Sequence, residues 1–196
     1  MKYVLATANP GKVHEMTHLL QGEGFEVVSR ADLGIDVEIE ETGVTFYDNA
    51  LLKATGICNL TNLPAIADDS GIIVDALGGE PGVYTSSFGG DGLDDMGRCL
   101  YMLDRMKGIS DRSARFVCVI VCAYPDGTII TAQGECIGEI SHAPKGTNGH
   151  GYDPVFVVEG MGRTAAELTT DEKNAISHRG KALTQFVQIL KERGDI

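Results

Sequence analysis

The sequence predicts a mixed α/β chain, on three observations. Short apolar stretches of strand length alternate with segments whose apolar residues recur at helical spacing. Nine apolar residues, Phe116 to Tyr124, are followed by Pro125-Asp126-Gly127 and a second extended stretch, the pattern of a long β-hairpin. The 25 glycines show no repeat period. At about 13% of the chain against a typical ~7%, they indicate tight turns and close backbone approaches rather than fibre or linker.

The elements follow in order. Lys2–Ala6 reads as a buried strand, and Thr7-Ala8-Asn9-Pro10-Gly11 leads into a helix over 11–21 that buries Val13, Met16 and Leu20. Phe25–Val28 and Val37–Ile39 are short strand candidates. A second helix runs over 44–59, with Phe46, Ala50, Ala54 and Ile57 inward. Pro64–Ala67 is a strand that ends in Asp68-Asp69-Ser70-Gly71, after which Ile72–Val74 continues extended. Residues 78–92 form a Gly-rich loop and a third helix spans 93–106. The hairpin occupies 116–140 and is able to form a second lobe. A polar loop over 141–152 precedes a strand at Pro154–Val158, and a last helix covers 174–193. The whole of residues 1–196 reads as a single domain, long enough to bury a core without staples.

Composition excludes several classes. The apolar run of nine is half of the roughly 18 residues a membrane helix needs, and the apolar stretch after Lys2 is too short for an export signal. No membrane partner is expected. Five scattered cysteines, odd in number and without a Cys-x-x-Cys, read as reduced thiols of a cytoplasmic protein. The net charge of −12 argues against a nucleic-acid polymer, whose phosphates require a basic face. That charge is uneven: residues 1–98 hold 5 Lys/Arg against 16 Asp/Glu, and residues 99–196 hold 11 against 12.

The local motifs each carry two readings. Thr7-Ala8-Asn9-Pro10-Gly11-Lys12 joins a strand to a helix start, where free N–H groups and a lysine suit a phosphate; it is equally an ordinary Pro-Gly turn. Glu38, Glu40 and Glu41 precede Thr42-Gly43, and Thr45, Asn49 and Lys53 then recur every four residues as a polar stripe, solvated or functional. Asp68-Asp69 at a strand's carboxyl end offers hard oxygens to Mg²⁺, or caps a turn. Gly149-His150-Gly151-Tyr152-Asp153 is a loop able to wrap a flat ligand. Lys173, His178 and Arg179 either grip a polyanion or face solvent. His14-Glu15-Met16-Thr17-His18 matches the zinc-protease pattern. Both histidines, however, lie opposite the apolar stripe of their helix, so the metal reading fails. Ser70 lacks a Gly-x-Ser-x-Gly elbow, which removes the serine-hydrolase reading.

Taken as an ordered set, Ala6 to Lys12, Glu40-Glu41-Thr42-Gly43, Asn49-Ala50-x-x-Lys53-Ala54, Ala67-Asp68-Asp69-Ser70-Gly71, Pro81-Gly82-Val83-Tyr84, Gly151-Tyr152-Asp153-Pro154 and Ser177-His178-Arg179-Gly180 resemble the inosine/xanthosine triphosphate pyrophosphatase family, the XTP/dITP diphosphatases. The resemblance implies an elongated mixed sheet with flanking helices, two lobes around a central cleft, and a homodimer. It implies Mg²⁺-dependent hydrolysis of ITP, dITP and XTP to the monophosphate and pyrophosphate, which clears deaminated purines from the nucleotide pool. By the same resemblance Asp69 is the catalytic acceptor and binds metal with Glu40 or Glu41. Thr7, Ala8, Asn9, Pro10, Gly11, Lys12, Lys53 and Ser70 hold the phosphates. His150, Gly151, Tyr152, Asp153, Lys173, His178 and Arg179 shape the nucleoside pocket. Three positions depart from the family pattern: Ala8 for the usual Gly, Ser86-Ser87 where an Arg is expected after Tyr84, and His150 for the usual Phe. A regulatory module that kept the pocket without the chemistry is a second reading, disfavoured by the intact Glu41, Lys53 and Asp69.

Overall fold

The computed structural model describes residues 1–195. Six strands form one sheet in the order β2-β1-β3-β4-β5-β6. β1 (Lys2–Leu5) runs parallel to both β2 (Glu26–Ser29) and β3 (Ala65–Val74), with Leu5 in register with Ser29 and with Ile66. β4 (Ser113–Ala123) and β5 (Ile129–Ile140) are joined by the expected Pro-Asp-Gly turn, closed by Tyr124 N–H donating to Thr128 O. β6 (Phe156–Val158) lies antiparallel to β5. The helices are α1 (Pro10–Gly22), α2 (Phe46–Thr61), α3 (Asp95–Arg105), α4 (Thr170–Ile176) and α5 (His178–Arg193). The mixed α/β class expected from the sequence is the one observed.

The chain divides into two compact units. Of the described residues the first comprises 1–69, 118–134 and 181–195, and its core packs α1 and α5 on the sheet through Met16, Leu20, Tyr3, Ile120, Leu183 and Phe186. The second comprises residues 70–117 and 135–180, with a core of Ile72, Met102, Met106, Ile140, Tyr152 and Phe156. Among the described residues no helix is long and apolar enough to cross a membrane.

Three expectations change. Residues 37–39 are not a strand: Ile39 instead packs over Gly56 of α2, where an added Cβ would lie 2.8 Å from its Cδ1. Asp68-Asp69-Ser70-Gly71 is neither a turn nor a strand end but the middle of the ten-residue β3. The turn-like composition is overridden because cationic and amide side chains meet the two carboxylates within the first unit. The last helix is two helices. Ser177 leaves helical geometry (φ −62°, ψ 142°), and its Oγ accepts from Gly180 N–H at 2.9 Å, so α5 starts afresh at His178.

Candidate functional site

The loop after β1 closes on itself. Asn9 caps α1, its Oδ1 accepting from the N–H groups of Gly11 (2.9 Å) and Lys12 (3.2 Å), and its own N–H donates to Thr7 Oγ1 at 3.2 Å. Pro10 has no N–H to offer. The free amides expected at this helix start are therefore already taken, a correction to the reading of Asn9, Gly11 and Lys12 as an open backbone cradle. What the loop projects is the ammonium of Lys12, which sits 2.8 Å from Asp68 Oδ2. Ala8, Asn9, Pro10 and Gly11 are exposed and Thr7 is half-buried.

Asp68 and Asp69 are neighbours in β3, so strand alternation sends them to opposite faces. Asp68 is buried, only 1% exposed, and carries Lys12. Asp69 belongs to a second set. Its Oδ2 accepts from Asn49 Nδ2 at 3.2 Å, and Lys53 Nζ stands 3.8 Å from Oδ1. Lys53 in turn donates to Glu41 Oε2 at 2.7 Å. Asn49 and Lys53 are four residues apart on α2 and so share a face. The first turn of α2 is fixed by a capping box in which Thr45 and Asp48 satisfy each other's backbone N–H. Burial pushes the Asp69 carboxyl above the usual range, while Lys53 and the Asn49 hydrogen bond pull it back. Glu41 is thus brought to Asp69 through Lys53, and Glu40 is left exposed.

In the second unit the loop 149–153 is pinned from several sides. Gly151 N–H donates to Asp95 Oδ2 at 2.8 Å, and Gly151 O receives the Cys99 thiol at 3.3 Å. His150 N–H donates to Asp153 Oδ2 at 2.8 Å, and the Lys173 ammonium meets the same oxygen. Gly149 has φ 75°, and a Cβ there would lie 2.0 Å from Asp153 Oδ2, so only glycine fits. His150 is exposed. Tyr152 is not: it is a core residue whose hydroxyl donates to Thr85 O at 2.8 Å. Its ring packs in the core of the second unit. His178 stacks on Phe116, rings 5.1 Å apart and 15° from parallel, and Arg179 Nη2 donates to Ser70 Oγ at 3.4 Å. Both residues sit in the first turn of α5, and Lys173 lies within α4. His14 and His18 are exposed, as their spacing predicts.

Among the described residues no group of three or more His, Cys, Asp or Glu side chains comes close enough to hold a metal alone. Mg²⁺ does not need such a cage; one or two carboxylates with substrate phosphates and water suffice. Glu41 and Asp69, hard oxygen donors already sharing one cationic partner in Lys53, fit that requirement.

The sequence as a whole places the chain in a known class. The Ham1 family profile matches residues 3–189, and the chain belongs to that family. It is 48% identical over 194 residues to the dITP/XTP pyrophosphatase of Shigella flexneri, covering 97% of this chain and 98% of the relative. It is also 48% identical to that of Thermus thermophilus, covering 98% and 93%. Among solved structures, a HAM1 protein from Coxiella burnetii superposes with a TM-score of 0.93 at 42% identity, covering 98% of this chain and 99% of that one.

Two residues enter the site in roles the sequence reading did not assign them, Asp68 and Asn49. Asp68 was read only jointly with Asp69, as a hard oxygen for Mg²⁺, and is instead the buried partner of Lys12. Asn49 was read only as a member of the polar stripe, and its four-residue spacing from Lys53 was the usable signal.

Proposed function

We propose that this chain hydrolyses deaminated purine nucleoside triphosphates (ITP, dITP and XTP) to the monophosphate and pyrophosphate, and so removes them from the nucleotide pool. The observation that carries the proposal is the Asp69 set: a carboxylate held by an amide on one oxygen, faced by Lys53 on the other, with Glu41 on the same lysine. Breaking the bond between the α- and β-phosphates requires an activated water and cations against the charge that develops on the leaving pyrophosphate. Asp69 takes the water's proton, and burial, which raises its basicity, suits it to that task. Lys53 and Lys12 hold phosphate oxygens, assisted by Ser70 and by the Thr7–Gly11 loop, whose part is to position Lys12. Mg²⁺, when bound at Glu41 and Asp69, supplies charge neutralisation on the polyphosphate. His150, with Lys173, His178 and Arg179, takes the base; Asp153 and Gly151 hold the loop under it.

Residues 1–196 work as one catalytic domain in this proposal, as a homodimer and in the cytoplasm. Five buried thiols suit a reducing compartment, and sedimentation equilibrium measures the oligomeric state. The activity is tested by incubating the protein with dITP or XTP and Mg²⁺ and measuring pyrophosphate and orthophosphate separately. Pyrophosphate alone is expected. Orthophosphate as the primary product, or tight nucleotide binding without turnover, overturns the proposal.

A further inference from the structure

We propose that Asn49 is a positioning residue of the Asp69 centre: its carboxamide decides which Asp69 oxygen faces Lys53, and it ties the segment carrying Glu41 to that carboxylate. The inference rests on the proposed role of Asp69 and goes beyond it. Asn49 is only 4% exposed, and a buried amide needs partners for both its ends. Its Oδ1 accepts from Gly43 N–H at 2.8 Å, and its Nδ2 donates to Asp69 Oδ2 at 3.2 Å. The orientation is forced by chemistry. Turning the amide over would set N–H against N–H at Gly43 and oxygen against oxygen at Asp69.

The bridge is built into the backbone at both ends. At Gly43 a Cβ would lie 2.5 Å from Asp48 Cβ and 2.7 Å from Asn49 Oδ1, so the N–H reaches the amide only because residue 43 has no side chain. Two residues before Glu41, Ile39 rests on Gly56, which holds the other end of the same segment against α2. Arg30 Nη1 also donates to Val37 O at 2.8 Å. Within α2, Asn49 and Lys53 then address Asp69 as a pair, the amide on Oδ2 and the ammonium nearer Oδ1. An asparagine in a helix interior has a lower helix propensity than alanine, so its presence here is explained by the bridge and not by the helix.

The decisive variant is Asn49→Asp. It keeps the volume and the acceptor for Gly43 N–H but puts an oxygen where Asp69 had a donor. We expect kcat for dITP, per folded molecule, to fall about 10- to 100-fold, the scale of an ångström-sized misplacement, with KM changed less than about threefold. A merely structural role would lower the melting temperature and leave that kcat unchanged. The reciprocal swap, Asn49→Asp with Asp69→Asn, restores one donor and one acceptor. Its melting temperature should return to within about 2 °C of wild type while Asn49→Asp alone lies lower. Wild-type kcat in Asn49→Asp, or a loss confined to KM, overturns the positioning role. A melting loss that the swap does not relieve overturns the bridge itself. If the wild-type protein releases no pyrophosphate from dITP, the functional reading fails separately, and the swap still decides whether the two side chains are coupled.

Discussion

Replacing Lys12 by alanine should destabilise the protein far more than an ordinary surface change, because it strands a buried charge. The Asp68 side chain is wholly buried, the Lys12 side chain is 20% exposed, and their charged atoms are 2.8 Å apart. At that separation the attraction is about 6 kcal/mol for an effective dielectric constant of ~20. Much of it offsets the cost of taking both ions from water, but removing one partner exposes that cost uncompensated, typically about 3–5 kcal/mol. Unfolding a chain of this length changes the free energy by ~0.4 kcal/mol per degree near the midpoint, so the melting temperature should drop by about 7–12 °C. Calorimetry at neutral pH measures it. Lys12→Ala combined with Asp68→Asn removes the stranded charge and should recover at least about half of the loss. Pyrophosphate release then separates the two roles of the lysine. If it also grips phosphate, the double variant regains stability without regaining turnover. A melting temperature within about 2 °C of wild type in Lys12→Ala would refute the reasoning.

Asp69→Asn should lower pyrophosphate release about 10²- to 10⁴-fold with the fold intact; more than about a tenth of the activity remaining would remove Asp69 from the chemistry. The same variant has a stability signature. Burial raises the folded-state value of this carboxyl above the ordinary 3.8, so the wild type loses stability as pH rises through that raised value. Asp69→Asn should therefore melt higher than wild type at neutral pH, with the difference vanishing below 3.8. Lys53→Ala should weaken dITP binding more than dIMP binding, since its ammonium stands among the carboxylates that would face the polyphosphate; equal losses in titration calorimetry would reassign it. His150→Ala should raise KM for ITP about 5- to 100-fold with a smaller change in kcat, the pattern of a lost stacking contact. An unchanged KM would mean that the exposed ring makes no contact with the base.

The sequence was most legible where one physical signal acted alone. A continuous apolar run and a Pro-Asp-Gly turn gave the hairpin, and helical spacing gave Met16, Leu20, Ala50, Ala54 and Ile57 as buried residues. It was least legible where a distant side chain decides a local conformation. Asp68-Asp69-Ser70-Gly71 has the composition of a turn, and nothing within it announces that Lys12, Asn49 and Lys53 converge on a continuous strand. Val37 to Ile39 has the composition of a strand, and only the absence of a side chain at Gly56 explains why Ile39 packs on a helix instead. The break at Ser177 was within reach, because a serine three residues before a glycine N–H it accepts from is a capping arrangement. Tyr152 was not, since its burial depends on a carbonyl 67 residues away.

The lysines assigned to substrate are each held by a carboxylate within their own unit: Lys12 by Asp68, Lys53 by Glu41, and Lys173 by Asp153. In a chain of net charge −12 the long-range field repels a triphosphate, so affinity for one has to come from local contacts. These pairings have different consequences. Asp68 and Asp153 are buried, so in the proposed function Lys12 and Lys173 would keep their carboxylates and offer only their remaining donors to a ligand. Glu41 is 43% exposed and loses little by parting from its lysine. Of these three lysines, Lys53 is the one whose carboxylate partner is exposed, and in the proposed function it would exchange Glu41 for a phosphate. That exchange would leave Glu41 and Asp69 as hard oxygen donors, with Asn49, through Gly43, still tying their two segments together.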